Sequence, residues 1–298
     1  MMADTGFPGT DAQFDFGRAR RRRTLSRLAS RLRGQDSDFN LILPFEEVVE
    51  TLGRKSERSL GLQTIDLDSV VGTVDRGREF DRSFRPTSGR VRTRWERIAA
   101  VQRRGGSMPP IDVYRIGDLH FVKDGHHRVS VARALGRDMI DAYVTEVITR
   151  VGTGSRITLA DLPLKSHERL FYERVPLPEE ARGRIHLKDP RGYAFLAEGV
   201  EAWGFRVMQA RGEFMDRTEV AEAWFSQEYE PVVEMLREAG VAAKAEETDA
   251  YTAAVTLRYM LLATHEWDEE ILERVRKQIE HPSWEDTQIR KLRKDLRS

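Results

Sequence analysis

The sequence contains no cysteine. Disulfide bonds, thiolate nucleophiles and thiolate metal sites are therefore excluded. It also lacks any run of about 20 apolar residues, the length that a membrane-spanning helix needs, so we expect no membrane partner. The first residues show no apolar stretch of the kind found in secretory signals. We therefore expect a cytoplasmic protein.

A net charge of either sign is also missing, because 49 basic and 49 acidic residues cancel. No field of the whole molecule would recruit nucleic acid, although a local cluster of charge still could. What is present is a chain of 298 residues, 40% of them hydrophobic. That is enough for a sizeable core in one large or two modest domains.

The most informative stretch runs from residue 111 to residue 147. Its first part alternates apolar and polar residues around Gly117 and Asp118, a pair typical of tight hairpin turns. The pattern predicts two short strands, whose apolar side chains are Ile111, Val113, Tyr114, Leu119, Phe121 and Val122. The apolar spacing then changes to that of a helix, with Val131, Ala132 and Leu135 on one side and Gly136 as its end.

The predicted strand meets the predicted helix at Asp124-Gly125-His126-His127-Arg128. The start of a helix presents unpaired backbone N–H groups and the positive end of the helix dipole. A glycine at this junction allows a ligand to approach the backbone closely. The five residues therefore predict an anion-binding turn.

Each side chain of this turn has a predicted role. Arg128 begins the apolar stripe of the helix, so we expect its guanidinium to stay near the sheet. His126 and His127 are adjacent and point apart on a helix, which makes them a poor metal pair. Asp124 could cap the helix. If a phosphate binds here, Asp124 must instead turn away, hold a ribose hydroxyl, or share a Mg²⁺ ion with the phosphate.

At these residues the chain resembles a known superfamily. Gly125-His126-His127-Arg128 is similar to the Gly-Glu-Arg-Arg motif of ParB chromosome-partition proteins and to the Gly-Cys-His-Arg motif of sulfiredoxin. The upstream order is also similar to that of ParB, with Ile65-Asp66-Leu67, a helix over residues 95–102, Gly105-Gly106, and Pro110-Ile111-Asp112-Val113. The resemblance covers about residues 64–147.

The resemblance implies a small α/β domain that binds a nucleoside triphosphate at this turn. ParB proteins bind CTP there, whereas sulfiredoxin and the related free-serine kinases use adenine nucleotides. Sulfiredoxin activity is excluded, because His126 stands where that chemistry needs a cysteine. Phosphate binding by Gly125 and Arg128 carries over. CTP or ATP, with Mg²⁺, is the expected cofactor, and hydrolase or phosphotransferase activity stays open.

A second candidate segment follows residues 65–74, whose alternating pattern predicts a strand and a return strand. The segment is dense in charges and aromatic residues, and in related folds the loop at this place closes over the phosphates. Arg76, Arg82 and Arg85 are candidates to contact phosphate, and Glu79 or Asp81 to hold a metal ion or act as a base. The alternative is a surface loop with internal salt bridges, and the spacing alone does not decide between them.

The N-terminal region divides in two. Residues 1–17 show no period and are predicted to form a mobile lead. From Arg18 to Arg33 there are eight arginines and no acid, and Leu25, Leu28 and Leu32 give the segment one apolar edge. This basic helix could contact DNA. We favour the alternative, in which it docks on the protein body, because no aromatic residues for base stacking lie between its arginines.

The second half begins after the flexible link Gly152-Thr153-Gly154-Ser155. Helical spacing predicts a long helix over residues 218–240, which Pro231 should kink or split, and further helices over residues 251–263 and 269–279. We therefore predict an α+β protein: the lead and basic helix in residues 1–45, a small ParB/sulfiredoxin-like α/β domain in residues 46–150, and a mostly α-helical domain in residues 151–298.

The helical half also resembles a region of unknown function in bacterial ParB-like proteins. The similar residues are Glu222-Ala223-Trp224-Phe225, Tyr229, Pro231-Val232-Val233 and Glu247-Thr248-Asp249-Ala250-Tyr251. The resemblance implies no activity for this half. We expect Trp224, Tyr229 and Tyr251 to be core residues and not a stacking platform for bases.

Three functions follow from these observations. The first is nucleotide binding at Asp124–Arg128, with His126 at the substrate edge, phosphate held by Gly125, His127 and Arg128, and catalysis by Glu79 or Asp81. The second is a DNA-associated regulator that uses its basic N-terminal helix. The third is a scaffold without catalysis, in which Asp124 caps the helix. Association of several copies is compatible with the sequence.

Overall fold

The computed structural model describes residues 5–32, 41–75, 79–154, 157–238, 240 and 247–262. The chain forms two compact units, the first ending at Arg169 and the second beginning at Leu170. The domain boundary that the sequence predicts near residue 150 stays a prediction. Within the described ranges, every helix is too short or too polar to span a lipid bilayer.

The first unit contains one mixed sheet of six strands. Its spatial order is β1-β3-β5-β4-β6-β2. The strands are β1 (Leu43–Pro44), β2 (Arg54–Asp66), β3 (Val70–Thr73), β4 (Ile111–Ile116), β5 (Leu119–Asp124) and β6 (Met139–Thr149). β4 pairs antiparallel with β5 and parallel with β6, while β2 forms one edge of the sheet. The expected α+β class is consistent with this architecture.

The helices of this unit are α1 (Pro8–Leu32), α2 (Phe45–Leu52), α3 (Arg92–Arg103) and α4 (His126–Ala134), followed by the start of α5 (Leu162–Arg174). One hydrophobic cluster joins strand residues to α1, α3 and α4. Its largest member, Trp95 on α3, is fully buried and donates from Nε1 to Ser130 Oγ of α4 at 2.8 Å. The core therefore fixes α4, and with it the predicted anion-binding turn, against the sheet.

The predicted hairpin and helix are confirmed. β4 and β5 pair with Ile116 opposite Leu119, and Gly117 between them has φ 56°. Gly136 follows α4 with φ 70°, and the N–H of Arg137 donates to the carbonyl of Ala132 at 3.0 Å. This left-handed glycine and the backbone hydrogen bond that spans it are the expected end of a helix.

The N-terminal region differs from the sequence prediction. α1 begins at Pro8, so the prediction of a mobile lead is wrong for residues 8–17. The cause is tertiary: Ala12 and Phe16 are buried, and the Phe16 ring meets the Trp95 ring edge-on at 5.5 Å. Leu25 of the predicted apolar edge is 65% exposed, and the side chains of Leu28 and Leu32 lie outside the described residues.

The described part of the second unit is helical beyond α5. It contains α6 (Glu179–Arg182), α7 (Pro190–Arg211), α8 (Arg217–Trp224), α9 (Glu230–Glu238) and α10 (Glu247–Leu262). A π-helical turn, Phe225–Tyr229, joins α8 to α9 just before Pro231. Proline has no N–H to donate to the preceding turn, so the wider turn lies where the sequence predicts a kink. The predicted helix over residues 269–279 lies outside the described residues.

The aromatic residues of this unit form its core, as predicted. Trp224, Tyr229 and Tyr251 are each less than a twentieth exposed. The indole Nε1 of Trp224 donates to the Tyr251 hydroxyl at 3.0 Å, and the Tyr229 hydroxyl lies 2.8 Å from Thr248 Oγ1. Burial raises the pKa of the Tyr251 hydroxyl. With their polar atoms paired inside the unit, these rings are packing residues.

Candidate phosphate-binding site

Gly125 sets the geometry of the junction between β5 and α4. Its φ of 101° and ψ of 17° lie in the left-handed region, and it is the residue just before the first turn of α4. A Cβ atom at this position would lie 2.4 Å from Cγ2 of Ile111 on β4. Both the dihedral angle and the close packing therefore require glycine. The strand passes into the helix without an intervening loop.

Asp124 does not cap α4. Among the residues that the structure describes, no side chain accepts a capping hydrogen bond at the start of this helix, so the predicted capping alternative is wrong. The Asp124 carboxylate is instead 62% exposed and pairs with Nη2 of Arg128, one turn later. A carboxylate turned outward leaves the positive end of the helix without a side-chain anion of its own.

Arg128 stays close to the sheet, as its place in the helical stripe predicts. Its side chain is 12% exposed. Nη1 donates to the carbonyl of Pro109 at 2.6 Å and to that of Pro110, in the segment that leads into β4. One side of the guanidinium is thus held by the backbone, and the other side faces an exposed carboxylate.

A second carboxylate lies beside this turn. Asp112 of β4 is the register partner of Asp124 across the antiparallel pair, and directly opposite residues project from the same face of a sheet. Sequence reasoning missed Asp112, because register between strands is not visible in a local pattern. Among the described residues, no group of three or more acidic or histidine side chains could hold a metal ion by itself.

The two histidines are buried beneath aromatic rings. His126 is 4% exposed, and its Nε2 lies 2.6 Å from Thr73 Oγ1 at the end of β3. The ring of Phe80 stacks on His126 at 6.4 Å and meets His127 edge-on at 5.4 Å. The sequence predicts that His126 contacts the substrate and that His127 contacts phosphate. In the structure both rings pack against Phe80, in the segment after β3.

That segment is organised by Asp81, which is 8% exposed. Its Oδ1 accepts from the backbone N–H groups of Ser83 and Arg85, and its Oδ2 accepts from Arg85 Nε at 2.9 Å. Arg23 of α1 lies 3.8 Å from the same carboxylate. Phe84, inside this turn, is fully buried with φ 55°. Asp81 and Arg85 therefore form an ion pair within the segment, and the choice between its two predicted roles stays a prediction.

Arg82, another predicted residue of the segment, is engaged by the backbone of a later part of the chain. Arg82 donates from Nη2 to the carbonyl of Ile157 at 2.6 Å. Burial lowers the pKa of its guanidinium, and the charge of Asp161 opposes that shift. Glu79 is half-buried, and its carbonyl accepts from the Thr87 N–H at 2.9 Å. Arg76 lies outside the described residues.

Arg133, near the end of α4, is a structural residue that sequence reasoning missed. Its Nη2 donates to the carbonyls of Leu67 and Val70, and its Nη1 to that of Arg82 at 3.3 Å. The guanidinium carbon also lies 5.4 Å from the centre of the Phe84 ring. Burial lowers the pKa of Arg133, and the charge of Asp68 opposes the shift. Arg133 therefore fastens two irregular segments to α4.

The protein is thus a mixed α/β protein in which a glycine precedes the start of α4. Next to it, the Arg128 guanidinium donates to backbone carbonyl groups. Comparison of the chain with protein-family models, with curated proteins and with solved structures gave no match. Membership of the ParB/sulfiredoxin-like superfamily therefore stays a prediction.

Proposed function

We propose that this protein is a ParB/sulfiredoxin-like nucleotide-binding protein that holds phosphate at the turn formed by residues 124–128. One observation carries the proposal. A largely buried arginine lies at a helix start that no side chain caps among the described residues, and the one described partner of its outward donor is the exposed carboxylate of Asp124. A phosphate oxygen is the chemical equivalent of that carboxylate and fits the same donor.

The exchange of Asp124 for phosphate is physically favourable. A surface ion pair contributes only about 0–1 kcal/mol, so moving the Asp124 carboxylate away costs little. A phosphate gains the helix dipole as well as the guanidinium, and Gly125 keeps the backbone open to close approach. The displaced Asp124 then lies next to Asp112, where two carboxylates and the phosphate oxygens provide the oxygen ligands that Mg²⁺ prefers.

A catalytic step would need one of the two predicted carboxylates, Asp81 or Glu79. Asp81 is engaged by two backbone N–H groups and Arg85, so its carboxylate serves the loop. Glu79 is the remaining candidate for acid or base work in hydrolysis or phosphoryl transfer. Nucleotide binding does not depend on that role, and the choice between CTP and ATP stays a prediction.

The first test is binding of CTP, ATP and GTP to the full chain, with and without Mg²⁺, measured by calorimetry. Asp124→Asn removes the competing charge while keeping the shape. It should therefore tighten nucleotide binding about fivefold in the absence of Mg²⁺, which corresponds to loss of a competitor of ~1 kcal/mol. The same substitution should weaken the effect of Mg²⁺ on binding.

Arg128→Lys, which loses the planar fork of the guanidinium, should weaken nucleotide binding about tenfold in the same measurement.

Asp118→Asn is the matched control, because it makes the same chemical change in the exposed turn between β4 and β5. It should bind nucleotide like the parent protein. The proposal is wrong if no nucleotide binds the parent, or if Asp118→Asn and Asp124→Asn change the affinity equally.

A further inference from the structure

The first unit contains a polar cavity of about 590 Å³. It lies between α1, the turn that follows β2, and the carboxyl-terminal end of α4. Small-molecule sites commonly have volumes of about 300–1,000 Å³. The part of α4 that lines the cavity begins at Ser130, whereas the turn at residues 124–128 includes only the first residues of that helix, so the two sites are separate.

Five arginines and four aspartates line this cavity, and several of them are already engaged. Arg85 pairs with Asp81 at 2.9 Å, and Asp15 pairs with Arg103 at 2.7 Å. Arg133 donates to three backbone carbonyls. These groups build the walls of the cavity and have little capacity left for a ligand.

Three other arginines retain that capacity. Arg22 and Arg137 are exposed, and within the described part of the chain their guanidinium groups make no hydrogen bond or ion pair. Arg18 reaches Asp15 only at 4.0 Å. The Nε of Arg133 is buried and has no hydrogen-bond acceptor. Guanidinium groups from α1 and from the end of α4 therefore converge on one cavity, an arrangement suited to a phosphate group.

Two carboxylates limit what the ligand can be. Asp68 and Asp138 line the same cavity, and their side chains accept no hydrogen bond from the residues that the structure describes. Ionised carboxylates only accept hydrogen bonds. A ligand made of phosphate alone would be repelled by both of them. The part of the ligand that faces these aspartates must therefore donate hydrogen bonds.

We infer that this cavity binds a small phosphorylated polyol, such as a sugar phosphate. The phosphate lies against Arg22, Arg137 and Arg18, and the hydroxyl groups donate to Asp68 and Asp138. DNA fits less well, because its backbone is anionic throughout and the aspartates oppose it. Two arginines of the basic N-terminal helix thus serve a small ligand. This inference goes beyond the proposed nucleotide site and does not depend on it.

The test uses the full chain and three probes: ribose 5-phosphate, inorganic phosphate and ribose, each titrated by calorimetry. Ribose 5-phosphate should bind at least tenfold more tightly than either of the other two. Arg22→Ala and Arg137→Ala should each weaken its binding about tenfold, the expected loss for a charged hydrogen bond. Arg104→Ala, at an exposed arginine that does not line the cavity, should leave the affinity unchanged.

The aspartates give a second readout with opposite signs. Asp68→Asn and Asp138→Asn should weaken ribose 5-phosphate binding but tighten the binding of inorganic phosphate, because a repelling charge is removed.

Phosphoethanolamine tests whether an ammonium group can replace the hydroxyl groups of the ligand. If it binds as tightly as ribose 5-phosphate, the polyol assignment is overturned. Absence of ribose 5-phosphate binding at millimolar concentration, or equal losses in Arg104→Ala and Arg137→Ala, would overturn the site. Arg128→Lys should leave this binding intact.

Discussion

Arg128 and Arg133 both direct guanidinium donors to backbone carbonyls. Arg128 holds Pro109 and Pro110, and Arg133 holds the carbonyls at Leu67, Val70 and Arg82. A lysine has one compact charge and cannot reach several carbonyls in a plane. These arginines therefore position irregular backbone around α4, and the ligand chemistry at Arg128 uses only the side that the backbone leaves open.

Gly125 is the residue where backbone geometry is most restrictive. We predict that Gly125→Ala destabilises the fold by at least ~2 kcal/mol more than Gly61→Ala, from overpacking added to backbone strain. Both glycines have positive φ, but a Cβ at Gly61 meets nothing within 4 Å, whereas one at Gly125 meets Ile111. Urea unfolding of the two variants measures the difference. Equal destabilisation would show that the Ile111 contact relaxes freely.

The residues of the turn were predictable because they are contiguous in sequence. Gly125 is recognised as the start of the turn because it directly precedes the helical stripe. Arg128 is predicted to lie near the sheet because it begins that stripe. Asp112, Thr73 and the Pro109 carbonyl were not predictable. They come to the turn from other strands and loops, and no local spacing contains that information.

At the scale of elements, α1 shows how tertiary packing overrides composition. The segment is dominated by arginine, yet the part that docks is Ala12, Phe16 and Ala19, all buried. Arg103 of α3 pairs with Asp15 from the other side of the contact. The sequence predicts a basic helix that docks through Leu25, Leu28 and Leu32. Leu25 is exposed, and the side chains of Leu28 and Leu32 lie outside the described residues.

Phe16→Ala tests this docking. Truncating a buried phenylalanine should cost about 3 kcal/mol of unfolding free energy. Leu25→Ala on the same helix removes a side chain that is 65% exposed and should change stability by less than about 0.5 kcal/mol. Denaturant unfolding compares the two variants. A small effect of Phe16→Ala would mean that α1 contributes little to the stability of the first unit.

The other elements of the first unit differ in how far local sequence determines them. The hairpin of β4 and β5 and the end of α4 at Gly136 depend on local turn chemistry, and the sequence predicts them correctly. β2 begins at Arg54, well before the alternation that the sequence shows from residue 65. Its early residues are exposed and charged, and they are held in the strand by pairing with β6, not by an apolar pattern of their own.

At the scale of the molecule, one buried histidine couples stability to pH. His120 on β5 is 7% exposed, and Ser69 Oγ lies 2.8 Å from its Nδ1, while its Nε2 has no hydrogen-bond partner among the residues that the structure describes. Burial, and then the charge of Arg115, lowers the pKa of His120 to about 4. In the unfolded chain the imidazole binds this proton more readily, at its ordinary pKa of 6.5. The stabilisation is therefore fully present above pH 6.5 and is lost as the pH falls towards 4.

The measurement is the unfolding free energy of the parent and of His120→Asn between pH 7.5 and pH 4. The parent should lose about 3 kcal/mol more than the variant over this range, because the asparagine can keep a hydrogen bond to Ser69 but cannot take up a proton. Parallel curves for the two proteins would show that His120 is protonated in the folded state without cost.

The edge strand has a consequence for how separate copies of this protein meet. β2 offers thirteen residues at the border of the sheet, enough to template pairing with a neighbour. Its register slips twice, between Arg54 and Ser56 and between Ser59 and Gly61, and Lys55 and Arg58 are exposed. The backbone hydrogen bonds of an approaching β2 strand would fall out of register at each irregularity. Its own Lys55 and Arg58 would also repel the same residues of this strand. The border is thus poorly suited to uncontrolled aggregation, even though the chain as a whole has no net charge to keep its copies apart.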